Sequence, residues 1–174
     1  MPALILPNGF APVSGAKGLA IIQPISFILG VAKKRILFLC TGNSCRSQMA
    51  EGFARQYAPV GYTPASAGLE PKGYIHPRAI IVMQEIGIDI RNQTSKTFDV
   101  SQAKGYDLVI TLCGDAEERC PAMPAGVSRT HWPLPDPARG SGSPEEVMEA
   151  FRRVRDEIGE LVRRLFAELE LQAK

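Results

Sequence analysis

At 174 residues, with a formal net charge of +2 and a charged fraction of 22%, the chain has room for one compact α/β domain and not for two. It has no basic run and no interleaving of aromatic with basic residues, which argues against a nucleic-acid partner and for a small or protein-surface substrate. Four cysteines without a convincing secretory signal, in a chain long enough to hold a core unstapled, point to catalytic, redox or metal chemistry rather than structural disulfides.

Residues 1–32 fit poorly with the rest of the chain. They carry Pro2, Pro7, Pro12 and Pro24, several glycines and a single charge, Lys17. The apolar run from Leu19 to Ala32 is shorter than the roughly 20 residues a membrane span needs, and Pro24 breaks it. A charged n-region is nearly absent and no clean cleavage site is present. The expectation is an extension that is disordered or a misassigned start, with a peripheral or targeting role as the second reading. The catalytic domain is expected at 33–174, in a cytoplasmic protein with no membrane partner.

Lys33-Lys34-Arg35 leads into the strand Ile36 to Leu39, uninterrupted apolar as in a parallel strand buried on both faces. The turn Cys40 to Arg46 comes next. Met49, Phe53, Ala54 and Tyr57 then keep helical spacing, with Pro59 beyond the end. Thr63 to Ala67 reads as a second strand closed by Gly68. Pro77 to Ile86 reads as a helix with proline in its first turn and Gly87 after its end, burying Ile80, Val82, Met83 and Ile86. Tyr106 to Leu112 is a third strand running straight into Cys113. Arg129 to Leu134 is a fourth, followed by the rigid turn Pro135-Asp136-Pro137. Ser143-Pro144-Glu145-Glu146 opens a last helix as a capping box. Its stripe of Val147, Phe151, Val154, Ile158, Leu161, Val162, Leu165 and Leu169 is packing. There is no internal repeat.

Strand, turn and helix around Cys40-Thr41-Gly42-Asn43-Ser44-Cys45-Arg46 aim backbone N–H groups and a helix N-terminus at an anion. A thiol in such a setting is acidic enough to be a thiolate near neutral pH, so Cys40 reads as a nucleophile. Arg46 supplies the planar fork that a tetrahedral oxyanion accepts and a lysine lacks. Ser47 can donate to the thiolate, cap the helix, or both. Asn43 suits a turn at positive φ, and Cys45 reads as structural. Cys113, like Cys40, lies at the carboxyl end of a parallel strand, the edge where open α/β sheets bind ligands. Its C-x6-C spacing to Cys120 is wrong for most zinc sites, and only His76 and His131 are on hand to complete one, so a redox pair is favoured. If the intervening segment is helical it must move before the two can bridge. Asp136, between two prolines, is the natural proton donor to a leaving oxygen if Cys40 is the nucleophile.

These residues carry a resemblance. Cys40 through Gly52, then Ser66-Ala67-Gly68, Thr111-Leu112-Cys113-Gly114-Asp115-Ala116 with Cys120-Pro121, His131-Trp132 and Asp136-Pro137-Ala138 make residues 34 to about 166 similar to the thioredoxin-coupled arsenate reductases. That family shares the low-molecular-weight tyrosine phosphatase fold. The resemblance implies a three-layer α/β/α domain around a four-stranded parallel sheet. It implies arsenate held by the loop and Arg46, attack by Cys40, and protonation of the departing hydroxyl by Asp136. A Cys40–Cys113 disulfide forms next, then a Cys113–Cys120 disulfide reduced by thioredoxin. No bound cofactor and no metal are expected, and phosphate or sulfate would compete as oxyanions. Some members hold a potassium ion through positions matching Asn43, Glu51, Ser66, Thr94 and a further carboxylate. Here that last position is Lys96, and Gln93 stands where ion-binding members carry histidine, so Lys96 is expected to supply the positive charge instead.

Two other readings stand beside this one. A low-molecular-weight tyrosine phosphatase would use Cys40, Arg46 and Asp136 identically and leave Cys113 and Cys120 idle. Against it, Asp136-Pro137 continues into Ala138-Arg139-Gly140, with no aromatic residue to flank a phosphotyrosine ring. A thiol sensor or metal-binding regulator could hold arsenite on three cysteines, but leaves Arg46 and Asp136 without a task.

Overall fold

β1 (Lys34–Cys40) is the strand on which the sheet is built, and every residue from Ile36 to Cys40 is buried. A computed structural model describes residues 33–172, and the expectations for residues 1–32 lie outside the described residues. β1 pairs in parallel with β2 (Tyr62–Gly68) on one side and with β3 (Leu108–Thr111) on the other, and β4 (Ser128–His131) completes the order β2-β1-β3-β4. The chain leaves β1 toward one edge and returns through β3 toward the other, so a crevice opens at the carboxyl ends of these two strands.

The alternating faces of β1 sort the core into two parts. Ile36 and Phe38, with Ile110 and Leu112, pack under α1 (Arg46–Tyr57), α2 (Pro77–Gln84) and the long α4 (Pro144–Gln172). Leu37, Leu39 and Val109 face the other way, against Cys120 and the half-buried Phe98, Tyr106, Met123 and Val127. This second layer is thin, carrying a 3-10 turn at Val100–Gly105 and the short α3 (Gly114–Arg119). The fold is the expected three-layer α/β/α with four parallel strands. Fully burying one ring such as Phe53 or Phe151 contributes about 1.5–3 kcal/mol, so most of the stability lies on the α1–α4 side.

Element boundaries differ from the sequence reading for local reasons. β3 begins at Leu108, because Tyr106 closes the 3-10 turn with its N–H on the Ala103 carbonyl. β4 stops at His131 instead of reaching Leu134, since Pro133 has no N–H to donate to the ladder. α2 ends at Gln84, and Gly87 at φ 77° turns the chain so that Ile88 donates to the Met83 carbonyl. Ile86 is consequently exposed, and Ala79, Val82 and Met83 form the buried face, with Ile80 half-buried. The capping box of α4 forms as read: Ser143 N–H donates to Glu146 at 2.7 Å and Glu146 N–H to Ser143 Oγ at 3.2 Å. Along α4, Phe151, Val154, Ile158 and Val162 are buried, while Val147, Leu161, Leu165 and Leu169 lie at the margin. Phe166 and Arg155 are also buried, and Arg155 donates to the Val82 carbonyl and to Glu85.

Candidate active site

The loop between β1 and α1 is fixed from outside. The N–H groups of Leu69, Glu70, Lys72 and His76 donate to the carbonyls of Cys40, Thr41, Gly42 and Ser44 at 2.8–3.2 Å, and Gln48 Nε2 takes the carbonyl of Asn43 at 3.0 Å. Each trans peptide with its carbonyl turned outward turns the next N–H inward. The Asn43 N–H accordingly points at Cys40 Sγ, 3.2 Å away. Asn43 sits at φ 40°, the left-handed turn expected of it. Gly68 makes the close approach possible: a Cβ there would lie 2.7 Å from the Thr41 carbonyl oxygen and 2.8 Å from the Asn43 nitrogen.

Beneath the loop, buried side chains continue the same scaffold. Asn43 Nδ2 donates to Ser47 Oγ and to Ser66 Oγ, each at 2.9 Å. Ser47 thereby keeps its own hydrogen for Cys40 Sγ, 3.0 Å away. Ser66 donates to Glu51 at 2.5 Å, and Glu51 also pairs with Arg55 at 2.6 Å. Lys96 holds Asn43 Oδ1 with its backbone N–H at 2.6 Å, and its ammonium lies 3.8 Å from Glu51 and 2.9 Å from the Thr94 carbonyl. Gln93 donates to Gln48. A potassium ion among these oxygens would meet the lysine's like charge, so the donor set does not fit one.

Above the loop is a cavity of about 470 Å³, lined by Cys40, Thr41, Gly42, Ser44, Cys45, Arg46, Cys113, Asp136 and, at the rim, Glu70, Lys72, Asp115 and Arg139. Arg46 is 8% exposed. One of its terminal nitrogens donates to the Leu134 carbonyl at 3.1 Å and the other lies 3.1 Å from Asp136. Its Nε is buried with no hydrogen-bond partner among the described residues. A charged donor left unmet in a buried site costs of order 1–3 kcal/mol or more, the kind of cost a site bears for a ligand. Asp136 caps a 3-10 turn, Pro137–Arg139, through the Ala138 N–H at 3.1 Å, which holds its carboxylate over the cavity.

The four cysteines are all free and buried, in different settings. Cys113 caps α3 and shares the cavity with Cys40. Thr41 spends its one hydroxyl hydrogen on Asp115 at 2.6 Å, and its Oγ1 lies 3.4 Å from Cys113 Sγ. Burial pushes the Cys45 thiol up to about 11, and the residue forms part of the cavity wall. Cys120 is not at the cavity. It lies beyond α3 on the far face of the sheet, against Leu37, Leu39, Ala67 and Val109, and burial raises its thiol above the ordinary value.

Of the sequence-derived residues, Cys40, Thr41, Gly42, Ser44, Cys45 and Arg46 line one cavity together with Cys113 and Asp136, while Asn43 and Ser47 are buried beneath it and Cys120 lies apart. The rim residues Lys72, Glu70 and Arg139 escaped the sequence reading. Lys72 N–H holds the Gly42 carbonyl and its stem lies against Gly42, but no local motif marks a residue 30 positions from the loop it covers.

Comparison with known proteins agrees with this geometry. The family profile of low molecular weight phosphotyrosine protein phosphatases matches residues 35–174. An arsenate reductase of Bacillus subtilis strain 168 is 55% identical over 126 residues, covering 72% of this chain and 90% of the relative. A solved arsenate reductase in the phosphate binding state is 38% identical, superimposes with a TM-score of 0.61, and covers 78% of this chain and 98% of its own. The thioredoxin-dependent arsenate reductase of Corynebacterium glutamicum is 30% identical at a TM-score of 0.63, covering 81% of this chain and 64% of its own.

Proposed function

The chain belongs to the low molecular weight phosphotyrosine protein phosphatase family, and on that premise we propose that it reduces arsenate to arsenite through a relay of three cysteines regenerated by thioredoxin. The loop N–H groups and Arg46 hold the oxyanion, with the free Arg46 Nε as a charged donor already in position. Cys40 attacks arsenic, and Asp136 gives its proton to the departing hydroxyl, which leaves as water. Cys113 attacks the Cys40 sulfur. The sulfur–arsenic bond breaks with its electron pair going to arsenic, so As(V) leaves as As(III) and a Cys40–Cys113 disulfide remains. Cys120 then attacks Cys113 and releases the Cys40 thiolate. Reduced thioredoxin takes the Cys113–Cys120 disulfide back to two thiols, so no bound cofactor is required. The reaction runs in the cytoplasm, where such a donor keeps thiols reduced. Among the described residues, no helix is long and apolar enough to cross a membrane.

The observation that carries the reductase reading is the second cysteine in the cavity. A phosphatase needs Cys40, Arg46 and Asp136 alone, and Cys113 on the same wall has work only in a reduction. Among the described residues, the cavity lining also contains no aromatic residue to grip a phosphotyrosine ring. The test is arsenate turnover coupled to thioredoxin, thioredoxin reductase and NADPH. The wild type should turn over continuously. Cys113→Ser should lose arsenate reduction yet keep slow hydrolysis of an aryl phosphate. No arsenate-dependent NADPH oxidation by the wild type, with brisk aryl phosphate hydrolysis, would return the protein to the phosphatases.

A further inference from the structure

Building on the relay proposed above, we propose that Glu117 and Arg129 form a clasp that keeps α3 wound, and that its release sets the rate at which Cys120 reaches Cys113. Cys113 and Cys120 bracket α3 as its two caps. Seven steps along a helical rise set their Cα atoms about 10 Å apart, beyond the roughly 7 Å a disulfide tolerates. The sheet's edge separates the two sulfurs as well, one facing the cavity and one packed on the far side. Disulfide exchange between them therefore requires α3 to unwind and Cys120 to leave its apolar seat.

Six residues of helix cannot hold themselves in water, so something else keeps α3 in place. Glu117, in its middle, is tied to two strands at once. One carboxylate oxygen accepts from the buried hydroxyl of Thr111 at the end of β3, at 2.5 Å, and the other from Arg129 on β4, at 3.0 Å. Arg129 reaches on to the Cys120 carbonyl at 3.4 Å. His131 Nδ1 lies 2.9 Å from Thr111 Oγ1 and 3.1 Å from the Thr111 carbonyl, so with the Thr111 hydrogen on Glu117 the ring nitrogen is the donor to this residue. One guanidinium thus pins both the middle of the helix and the peptide of the cysteine that must swing out. Arg119 pairs with Glu70 and Asp115 on the exposed side of the same helix, where ion pairs hold little.

The clasp is tested without arsenate, by alkylating the reduced protein with iodoacetamide and following each cysteine peptide by mass spectrometry. Glu117→Ala and Arg129→Ala should each speed Cys120 alkylation by about tenfold, the scale of one net charge-assisted hydrogen bond. Cys45 should stay slow, which excludes global unfolding. Glu117→Gln keeps an acceptor for Thr111 and should fall between wild type and Glu117→Ala. Glu118→Ala, on the solvent side of α3, should change the rate by less than about twofold. Alanine is the better helix former, so a helix held by propensity alone would slow the reaction in Glu117→Ala. Slowed or unchanged Cys120 alkylation in both Glu117→Ala and Arg129→Ala overturns the clasp. This outcome is separate from the relay, because a protein that fails to reduce arsenate can still gain Cys120 reactivity when the clasp is cut.

Discussion

Two cysteine-headed segments leave neighbouring strands at the same end of the sheet, and they are built in opposite ways. The 40–46 loop has its carbonyls fastened by the 69–76 segment and its buried side chains joined through Asn43, Ser47, Ser66 and Glu51. The 113–120 segment is a short helix fastened by a few side-chain contacts to β3 and β4. An oxyanion cradle works only if its donors stay where charge develops, whereas a sulfur that carries electrons outward has to travel. On the proposed relay, one sheet edge thus holds a fixed site and a movable one, with Thr41 touching both, through Asp115 and Cys113.

The rigid half offers the larger effects. Arg46→Lys keeps the charge but loses the planar fork and the Nε donor, so kcat/KM for arsenate and for an aryl phosphate should both fall by about 100-fold or more. Equal loss on both substrates marks a shared cradle, and loss on one alone would separate the two chemistries. Gly68→Ala drives a methyl into the Thr41 carbonyl and the Asn43 backbone. It should lower unfolding free energy by about 1–3 kcal/mol in urea titration and raise KM with it. An unperturbed midpoint would mean that the loop yields more than its hydrogen bonds suggest.

The smallest effect is on pH dependence. His76 caps α2 by accepting the Arg78 N–H on Nδ1, which needs the neutral ring. Burial, then Arg78 and Lys72, hold its imidazole below the ordinary 6.5. The unfolded chain therefore takes up the proton first. Stability should fall as pH drops through 6.5 and level off below the folded value. His76→Asn keeps a capping acceptor and should flatten thermal stability across that window, and an unchanged slope would assign it to another group.

The loop was legible in the sequence because all its parts are contiguous: the apolar strand, the C-x5-R spacing, the asparagine at positive φ and the helix after it. The capping box of α4 was legible for the same reason. What escaped depends on pairing between distant strands. Thr111, Glu117 and Arg129 come from β3, α3 and β4, and only the parallel register β3–β4 brings them together. The C-x6-C spacing marks Cys113 and Cys120 as a redox pair that a helical segment would hold apart, but it does not say that the sheet's edge stands between them. In α4 the apolar stripe from Val147 to Leu169 is legible by spacing, while the burial of Phe166 and Arg155 depends on what lies opposite, the Tyr62 ring of β2 and the Val82 carbonyl with Glu85 at the end of α2. Ile86 fits helical spacing, yet Gly87 ends the turn that would have buried it.

The relay itself is tested most directly in Cys120→Ser, given one equivalent of arsenate and no thioredoxin, then quenched with acid and analysed by peptide mass spectrometry. One arsenite per chain and a trapped Cys40–Cys113 disulfide is the predicted result. Arsenite released with Cys40 and Cys113 both still reduced, or continued turnover of this variant with thioredoxin, would contradict it.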